Sequence, residues 1–446
     1  MAGSINRRAV RWLRGQLPEL VAAGAISSGN ADAIERYYEG AEARRRNFGF
    51  VLLASVGSAL VGAGIVLLIA HNWDELSRGV RTAIAFLPLL LAQALAVFVL
   101  LRRNESAPWR EAVAVLDIGA VATAISLISQ TYQIQGSFAE FLQTWLLLIL
   151  PVVYIFRTTL GAIVYLGGAV LWRLNRVEIF SEAKSPNFFW LLLLLLLPYI
   201  WTRYKSARDS RETVMLVFVF AVALMFGVGS TAGFARANAG GIAFAGLATL
   251  IYLGGMKLFP RPSGRLSAIA LLGGVGIGVM AMVLSFEGMW HLRAIAWNER
   301  DAARNLSLAI ELVFPIAAIA LAVLGIARKR AAFSISAAAL PVIAAIAWLV
   351  AVQCPYETYH PDHCSFTAAA IMNVYALLLG VDILARGIRV DSFARANFGL
   401  LLLAGLALCR FFDSDLSFLT RGIGFIVVGL GFLAANVVLF KKRAAT

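Results

Sequence analysis

The sequence predicts an all-α, polytopic membrane helix bundle of about fourteen transmembrane helices, with a small cytoplasmic helical hairpin at its N-terminus. Three observations predict this class. Hydrophobic residues make up 60% of the 446 residues and charged residues only 14%, whereas soluble domains are roughly 45 to 50% apolar. The mean hydropathy is +0.80. The apolar residues form runs near ~20 residues, the length at which a helix crosses a bilayer core ~30 Å thick.

The polar residues 1–47 predict the hairpin. From Arg7 to Val21, apolar residues recur at helical spacing beside a basic face, which is typical of an amphipathic helix. Gly24 is expected to end this helix, and a second helix is expected from about Ser28 to Arg46. The pattern lacks the short apolar core and cleavage segment of a signal peptide. We expect a cytoplasmic hairpin that lies on the membrane or caps the bundle.

Fourteen apolar runs then define a transmembrane domain at 48–440, and residues 441–446 form a basic cytoplasmic tail. Glycines inside the ninth run, such as Gly273, predict close helix packing, because small residues let helices approach each other in lipid. The runs lie at approximately 48–70, 79–101, 111–130, 139–156, 158–174, 187–204, 212–234, 237–258, 266–286, 305–327, 332–352, 366–385, 395–412 and 417–440.

The distribution of basic residues predicts that both termini are cytoplasmic. With fourteen crossings, more than two thirds of the 39 Lys and Arg residues fall on the cytoplasmic side, as the positive-inside rule requires. The weakest boundary is the turn at Arg157 and Thr158. If the runs on either side of it were one kinked crossing, the basic residues would divide almost evenly between the two faces. The charge distribution therefore favours two separate helices.

The formal net charge of +14 raises nucleic acid as a partner. The gathering of Lys and Arg on the cytoplasmic side explains this charge better than nucleic-acid binding does, because no basic stretch is interleaved with exposed aromatic residues. We therefore expect the lipid bilayer, and no nucleic acid, as a partner. The oligomeric state stays open.

Asp117 is the main candidate for a functional group inside the membrane. It lies six residues into the third run, between two apolar residues. Ionisable side chains within a bilayer are expensive and mark functional sites by default, although a structural pairing of Asp117 is an equal alternative. Glu311, Asp382 and Arg410 lie nearer helix ends, where reaching the interface or pairing explains them.

Polar residues on predicted outer segments are candidates for an outward-facing vestibule. The alternative is that they cap helix ends and belong to the interfacial aromatic belt. These residues are His71, Trp73, Asp74, Tyr132, Gln133, Arg410, Asp413 and Arg421.

Only three cysteines are present, so no disulfide scaffold carries the fold. Cys354 and Cys364 flank His360 and His363 on a predicted outer segment. A disulfide between the two cysteines is favoured over a metal site, because adjacent His363 and Cys364 are poorly spaced for chelating one ion. We predict no metal, no cofactor and no catalytic residue, since nucleotide fingerprints and Ser-His-Asp patterns are missing from the sequence.

Short motifs of this chain resemble a bacterial family of predicted membrane proteins, domain of unknown function 2157. They are Gly24-Ala25-Ile26-Ser27, His71-Asn72-Trp73-Asp74 and Tyr132-Gln133-Ile134-x-Gly136, with a similar tail from Arg410 to Gly422. The resemblance covers about the first 150 residues and the last 40. It implies a bacterial inner-membrane protein and assigns no activity.

These observations favour transport of a small solute or lipid, with Asp117 on the path and the vestibule residues at its outer mouth. One alternative is a non-transporting envelope-stress, sensing or assembly protein that uses the hairpin as its partner surface. Another is an outer-face lipid- or glycan-modifying enzyme with His71 as base. An enzyme is the less favoured class.

Overall fold

The computed structural model describes residues 7–34, 75–176, 186–232, 238–260, 266–291, 302–327, 334–353, 363–390, 392–413 and 426. Throughout these residues the regular secondary structure is helical and no strand occurs, which confirms the all-α class. The chain divides into two compact units, Met1–Ile84 and Ala85–Thr446.

The first unit begins with helix α1, Arg7–Ala22. Gly24 follows it with a φ of 67°, the left-handed conformation in which glycine commonly closes a helix. Residues 28–34 are again helical. The Ser27 hydroxyl accepts a hydrogen bond from the backbone N–H of Asn30 at 3.2 Å, as an N-cap does. The rest of the predicted hairpin lies outside the described residues, so the complete hairpin stays a prediction.

The remaining helices, numbered in chain order, are α2 Arg78–Arg102, α3 Ala107–Tyr132, α4 Phe138–Phe156, α5 Thr159–Leu174, α6 Pro186–Ala207, α7 Arg211–Ala232, α8 Asn238–Leu258, α9 Ala268–Val283, α10 Gly288–His291, α11 Ala302–Ala327, α12 Ile335–Ala338, α13 Leu340–Val352, α14 His363–Arg389 and α15 Phe393–Asp413.

Eight of the described helices are long and apolar enough to cross a membrane. Four shorter apolar helices, of 10–17 residues, lie at Thr159–Leu174, Ala268–Val283, Leu312–Ala327 and Leu340–Val352. Together these helices coincide with every predicted run except the first, which lies outside the described residues, and the last, of which only residue 426 is described. The protein is therefore a membrane protein with multiple apolar helices, and the total of fourteen crossings stays a prediction.

The boundary between the fourth and fifth predicted runs is a turn between two helices. Arg157 has a left-handed φ of 50°, and Thr158 caps α5. Beyond the turn, Gly168 of α5 lies beside Leu146 of α4, so closely that an added Cβ would be 2.9 Å from a Leu146 methyl group. Leu146 and Gly168 are equally far from Arg157 along the chain. The two helices therefore form an antiparallel hairpin, which excludes the single kinked crossing.

Glu111 of α3 attaches that helix to the same turn. Its carboxylate accepts hydrogen bonds from the amides of Thr159 at 2.7 Å and Leu160 at 3.0 Å, and from the hydroxyl of Thr158. The first amides of a helix have no acceptor within the helix, and a negative charge near them is stabilising. Glu111 thus caps a helix that begins 48 residues further along the chain.

We expect Glu111→Gln to destabilise the protein by about 1 to 2 kcal/mol, because the charge-assisted hydrogen bonds to the α5 amides become neutral ones. The measurement is the midpoint temperature of the purified protein in detergent. Glu212→Gln is the control, since Glu212 makes an exposed ion pair with Arg203, which contributes little. Equal midpoint shifts in both variants would contradict the capping role.

Two large apolar cores organise the second unit. Helices α2 to α7 form the first, which includes the fully buried Tyr165 and Trp172. Helices α8 to α15 form the second. Here α8 and α9 are in backbone contact, because a Cβ added to Gly273 would lie 2.3 Å from the backbone nitrogen of Tyr252. This confirms the predicted packing role of glycine in the ninth run.

Candidate functional site

Asp117 is a buried carboxylate in the middle of α3. Ser106 precedes this helix, and a proline at its start fits the first turn, where a missing amide costs nothing. Val113, Ala120 and Ala124 share a helix face with Asp117, and all are buried. Asp117 itself is 6% exposed. The sequence therefore directs this carboxylate into an apolar interior.

One carboxylate oxygen of Asp117 has no compensating contact in the described part of the chain. Oδ1 is fully buried and has no hydrogen-bond partner there. A buried charge without partners is energetically unfavourable, and such groups usually pair, bind an ion or carry a proton. Within the same described residues, no group of three or more His, Cys, Asp or Glu side chains could hold a metal ion.

The backbone beside Asp117 is held by two neighbouring helices. The indole of Trp145, on α4, donates a hydrogen bond to the carbonyl of Ile118 at 2.9 Å. Gly161, on α5, allows that helix to pack against Ile118, since an added Cβ would be 3.0 Å from the Ile118 side chain. Asp117 is therefore placed by tertiary contacts and does not rely on α3 alone. Chemically, the site can take up a proton or a cation that reaches it.

The loop after α3 uses its polar groups to end one helix and begin the next. Gln133 has a left-handed φ of 52°, and its backbone N–H points to the carbonyls of Ser129 and Gln130. Ser137 and Glu140 form a reciprocal capping box at the start of α4. The side chains of Tyr132 and Gln133 are exposed. Helix capping thus accounts for the backbone of this loop, and a role of its exposed side chains in a vestibule stays a prediction.

Arg410, near the end of α15, lies in a polar cluster at one end of the second core. Its guanidinium is 3.3 Å from the Ser285 hydroxyl and 4.8 Å from the ring centre of Phe286. Asn373 of α14 donates to the carbonyl of Ser285 at 3.0 Å. Glu287 accepts from Ser365 at 3.2 Å in the same region. The structure therefore brings Arg410 together with the segment after α9 and with α14, a grouping that the sequence did not indicate.

A second polar cluster surrounds Asp382 on α14. Its carboxylate accepts from the hydroxyls of Ser334 at 2.8 Å and Ser336 at 2.5 Å, and Arg386 donates to both oxygens at 2.9 Å. The hydroxyl of Tyr375 donates to the Ser336 carbonyl at 2.9 Å. Asp382 is therefore compensated by pairing, as expected for ionisable groups near helix ends. It provides a direct contrast with Asp117.

Several predicted site residues lie outside the described residues, and the predicted vestibule stays a prediction. Asp413 is the last residue of α15. Cys364 is disulfide-bonded and Cys409 is a free thiol, while Cys354 is outside the described part, so the predicted pairing is not tested. The predicted residues outside the described part are His71, Trp73, Asp74, Arg421 and Cys354.

Arg173, at the end of α5, is a polar group that sequence reasoning missed. It is completely buried, although it stands one residue from the end of its helix, where a long basic side chain is expected to reach the interface. Its position in the sequence therefore signalled nothing unusual.

Comparison with known proteins finds a family match in the N-terminal part of the chain. Residues 18–162 match a family model described as "Predicted membrane protein (DUF2157)", which confirms the resemblance over that range. Asp117 lies within the matched residues, whereas Arg173 and the second core lie beyond them. No curated protein and no solved structure matches the chain.

Proposed function

We propose that this multi-pass membrane protein transports a small solute or a lipid, and that Asp117 lies on the transport path. The observation that carries the proposal is the buried Oδ1 of Asp117, which has no hydrogen-bond partner in the described part of the chain. A group that only stabilised the bundle would be expected to have partners, as Asp382 does.

In this proposal, Asp117 binds a proton or a cation from one side and releases it on the other. A carboxylate in an apolar interior gains most from such a partner, because solvent does not compensate its charge there. The contacts of Trp145 and Gly161 beside it keep the carboxylate in one position. Transport further requires that water reach Asp117 from at least one face during the cycle.

The proposal includes a location and a topology. We place the protein in the bacterial inner membrane with both termini in the cytoplasm, on the strength of the positive-inside rule. This topology places the loop of Tyr132 and Gln133 at the outer mouth of the path. Capping by Gln133 and Ser137 favours the alternative for that loop, a non-transporting sensing or assembly protein whose polar loops only end helices.

Accessibility of position 117 to water separates these two functions. The variant Asp117→Cys is made in a Cys409→Ala protein, because Cys409 is a free thiol within the described residues and disulfide-bonded cysteine does not react. Vesicles containing the protein are treated from each side with a membrane-impermeant maleimide. If Asp117 lies on a transport path, water reaches position 117 and the cysteine there should be labelled. The reason is that maleimides react with a thiolate, which forms in water.

Two neighbouring positions provide the controls. Ala114 is completely buried, whereas Leu116 is 50% exposed. Leu116 lies on the side of α3 that faces away from the other helices, where lipid is expected. Ala114→Cys and Leu116→Cys should both stay unlabelled in folded protein. Absence of labelling at 117 from either side, in protein that elutes as a single folded species, would overturn the transport proposal and leave Asp117 as a packed structural group.

A further inference from the structure

The end of α5 carries an excess of buried hydrogen-bond donors. Within the described residues, the indole Nε1 of Trp172, the Nη1 of Arg173 and the Nε of Arg176 are buried and have no acceptor. All three atoms carry hydrogen and none accepts a hydrogen bond. They belong to one turn of chain. What this region lacks, within the described residues, is therefore hydrogen-bond acceptors.

Arg173 is satisfied on one edge of its guanidinium only. Nε donates to the Ser230 hydroxyl at 3.0 Å and Nη2 to the Ser230 carbonyl at 2.7 Å. Ser230 lies in the last turn of α7, whose carbonyls favour a positive charge. This contact orients the guanidinium and leaves Nη1 without an acceptor in the described part of the chain. A fully buried guanidinium with a free donor is a costly arrangement.

Among the described residues, the positive charge of this region is also uncompensated. The described residues supply no carboxylate within ion-pair distance of Arg173 or Arg176. The guanidinium carbon of Arg176 lies 6.0 Å from the ring centre of Trp172, so the second positive charge is beside the indole donor. Buried positive charges are normally paired with an anion. The fully buried charge of Arg173, the half-buried Arg176 and three donors without acceptors in the described residues therefore point to an anionic ligand.

We propose that Trp172, Arg173 and Arg176 form a binding site for a phosphate group at the end of α5. Phosphate presents several acceptor oxygens in a tetrahedral arrangement, and guanidinium groups bind it with paired hydrogen bonds. Phosphate also offers more acceptor oxygens than a carboxylate does, which suits three separate donors. The phosphate is either a lipid headgroup or part of a soluble molecule. The proposal does not depend on transport through Asp117.

The surroundings of the site fit the ends of membrane helices. Trp172 packs against Phe188 at a ring-centre distance of 4.9 Å, and the Trp190 indole donates to the Thr231 hydroxyl at 3.1 Å. Aromatic side chains gather at the headgroup level of membrane proteins. These contacts come from α5, α6 and α7, so the site is built by three helices of the first core.

The test uses the full chain, purified in dodecyl maltoside, a detergent that contains no phosphate. In one arm, sodium phosphate is titrated at constant ionic strength against sodium chloride, and the midpoint temperature is recorded by tryptophan fluorescence. In the other arm, phosphatidylglycerol is added to the detergent micelles. A rise in midpoint with added phosphate identifies a soluble phosphate ligand. A rise only with phosphatidylglycerol identifies a lipid headgroup. Either result supports the site only if this rise in midpoint temperature is lost in the variants described below.

Arg173→Gln removes the charge and keeps a donor for Ser230. We expect it to raise the half-saturating concentration of ligand by about tenfold or more, the equivalent of about 1.4 kcal/mol. Trp172→Phe removes only the indole donor, keeps the ring contact with Phe188, and should weaken binding without unfolding the protein. Arg208→Gln is the control, because Arg208 is an exposed residue paired with Asp209, and it should leave binding unchanged.

Two outcomes would overturn the phosphate site. One is the absence of any stabilisation of the parent protein by phosphate or phosphatidylglycerol, or an equal stabilisation of Arg173→Gln and Trp172→Phe. The other concerns acidic residues of the chain itself, Glu178 and Glu182. If the double variant Glu178→Gln/Glu182→Gln is destabilised as much as Arg173→Gln, with no response to phosphate in the parent, the partners of the arginines are internal carboxylates.

Discussion

Replacing Asp117 by asparagine is expected to stabilise the protein by about 1 to 3 kcal/mol, because a neutral amide costs less to bury in an apolar interior than an unpaired charge does. Asparagine has nearly the volume of aspartate but no charge, so the apolar face of α3 around position 117 keeps its packing. The gain should appear as a higher midpoint temperature of the purified protein. Stability gained at the expense of activity is expected at a functional site.

Asp382→Asn is the matched control, because the same chemical change should have the opposite sign there. The carboxylate of Asp382 accepts hydrogen bonds from two serine hydroxyls and from Arg386. Removing its charge leaves the guanidinium of Arg386 without its partner, so the midpoint temperature should fall. If Asp117→Asn lowered the midpoint as Asp382→Asn does, Asp117 would be a paired structural carboxylate and the basis of the transport proposal would be lost.

Gly273→Ala should be the most damaging small substitution in the second core. The added Cβ would lie 2.3 Å from the backbone nitrogen and 2.6 Å from the Cα of Tyr252, atoms that no side-chain rotation can move. Helices α8 and α9 would have to separate, at a cost above the 1 to 3 kcal/mol typical of an overpacked core, and thus more than about 3 kcal/mol. We expect a strong loss of folded protein in size-exclusion chromatography.

The neighbouring Gly274→Ala provides the control for helix propensity. A Cβ at that position would have its nearest neighbour, a ring atom of Tyr252, at 3.9 Å, an ordinary contact. Alanine is favoured over glycine inside a helix by about 1 kcal/mol, so this variant should be as stable as the parent or more stable. Equal losses of folded protein in both variants would show that the close approach at Gly273 does not limit assembly.

The membrane class and most helix positions were predictable from the sequence, because the relevant signals are local. In lipid, each helix satisfies its own backbone hydrogen bonds and needs about 20 apolar residues. Composition and run length therefore mark the helices without any knowledge of their neighbours. The turn at Arg157 was correctly predicted from charge, and its left-handed backbone confirms it.

The candidate site was predictable only in part. Burial of Asp117 follows from its place in an apolar run, but the absence of a partner for Oδ1 depends on which helices pack against α3. No pattern in the sequence indicated the roles of Glu111 and Arg173, because their partners lie 47 and 57 residues away in the chain. The exposed polar loop at Gln133 was equally consistent with a vestibule and with helix capping, and the structure identifies the capping contacts.

By itself, the sequence determined that this protein is a bundle of apolar helices and that Asp117 lies inside one of them. Only the tertiary structure decided which ionisable groups are compensated: Asp382 by Arg386 and two serines, and Arg173 on one edge by Ser230. The physical reason is that helix formation and burial in lipid depend on nearby residues. Compensation of a buried charge depends on atoms within about 3 Å, which distant parts of the chain supply.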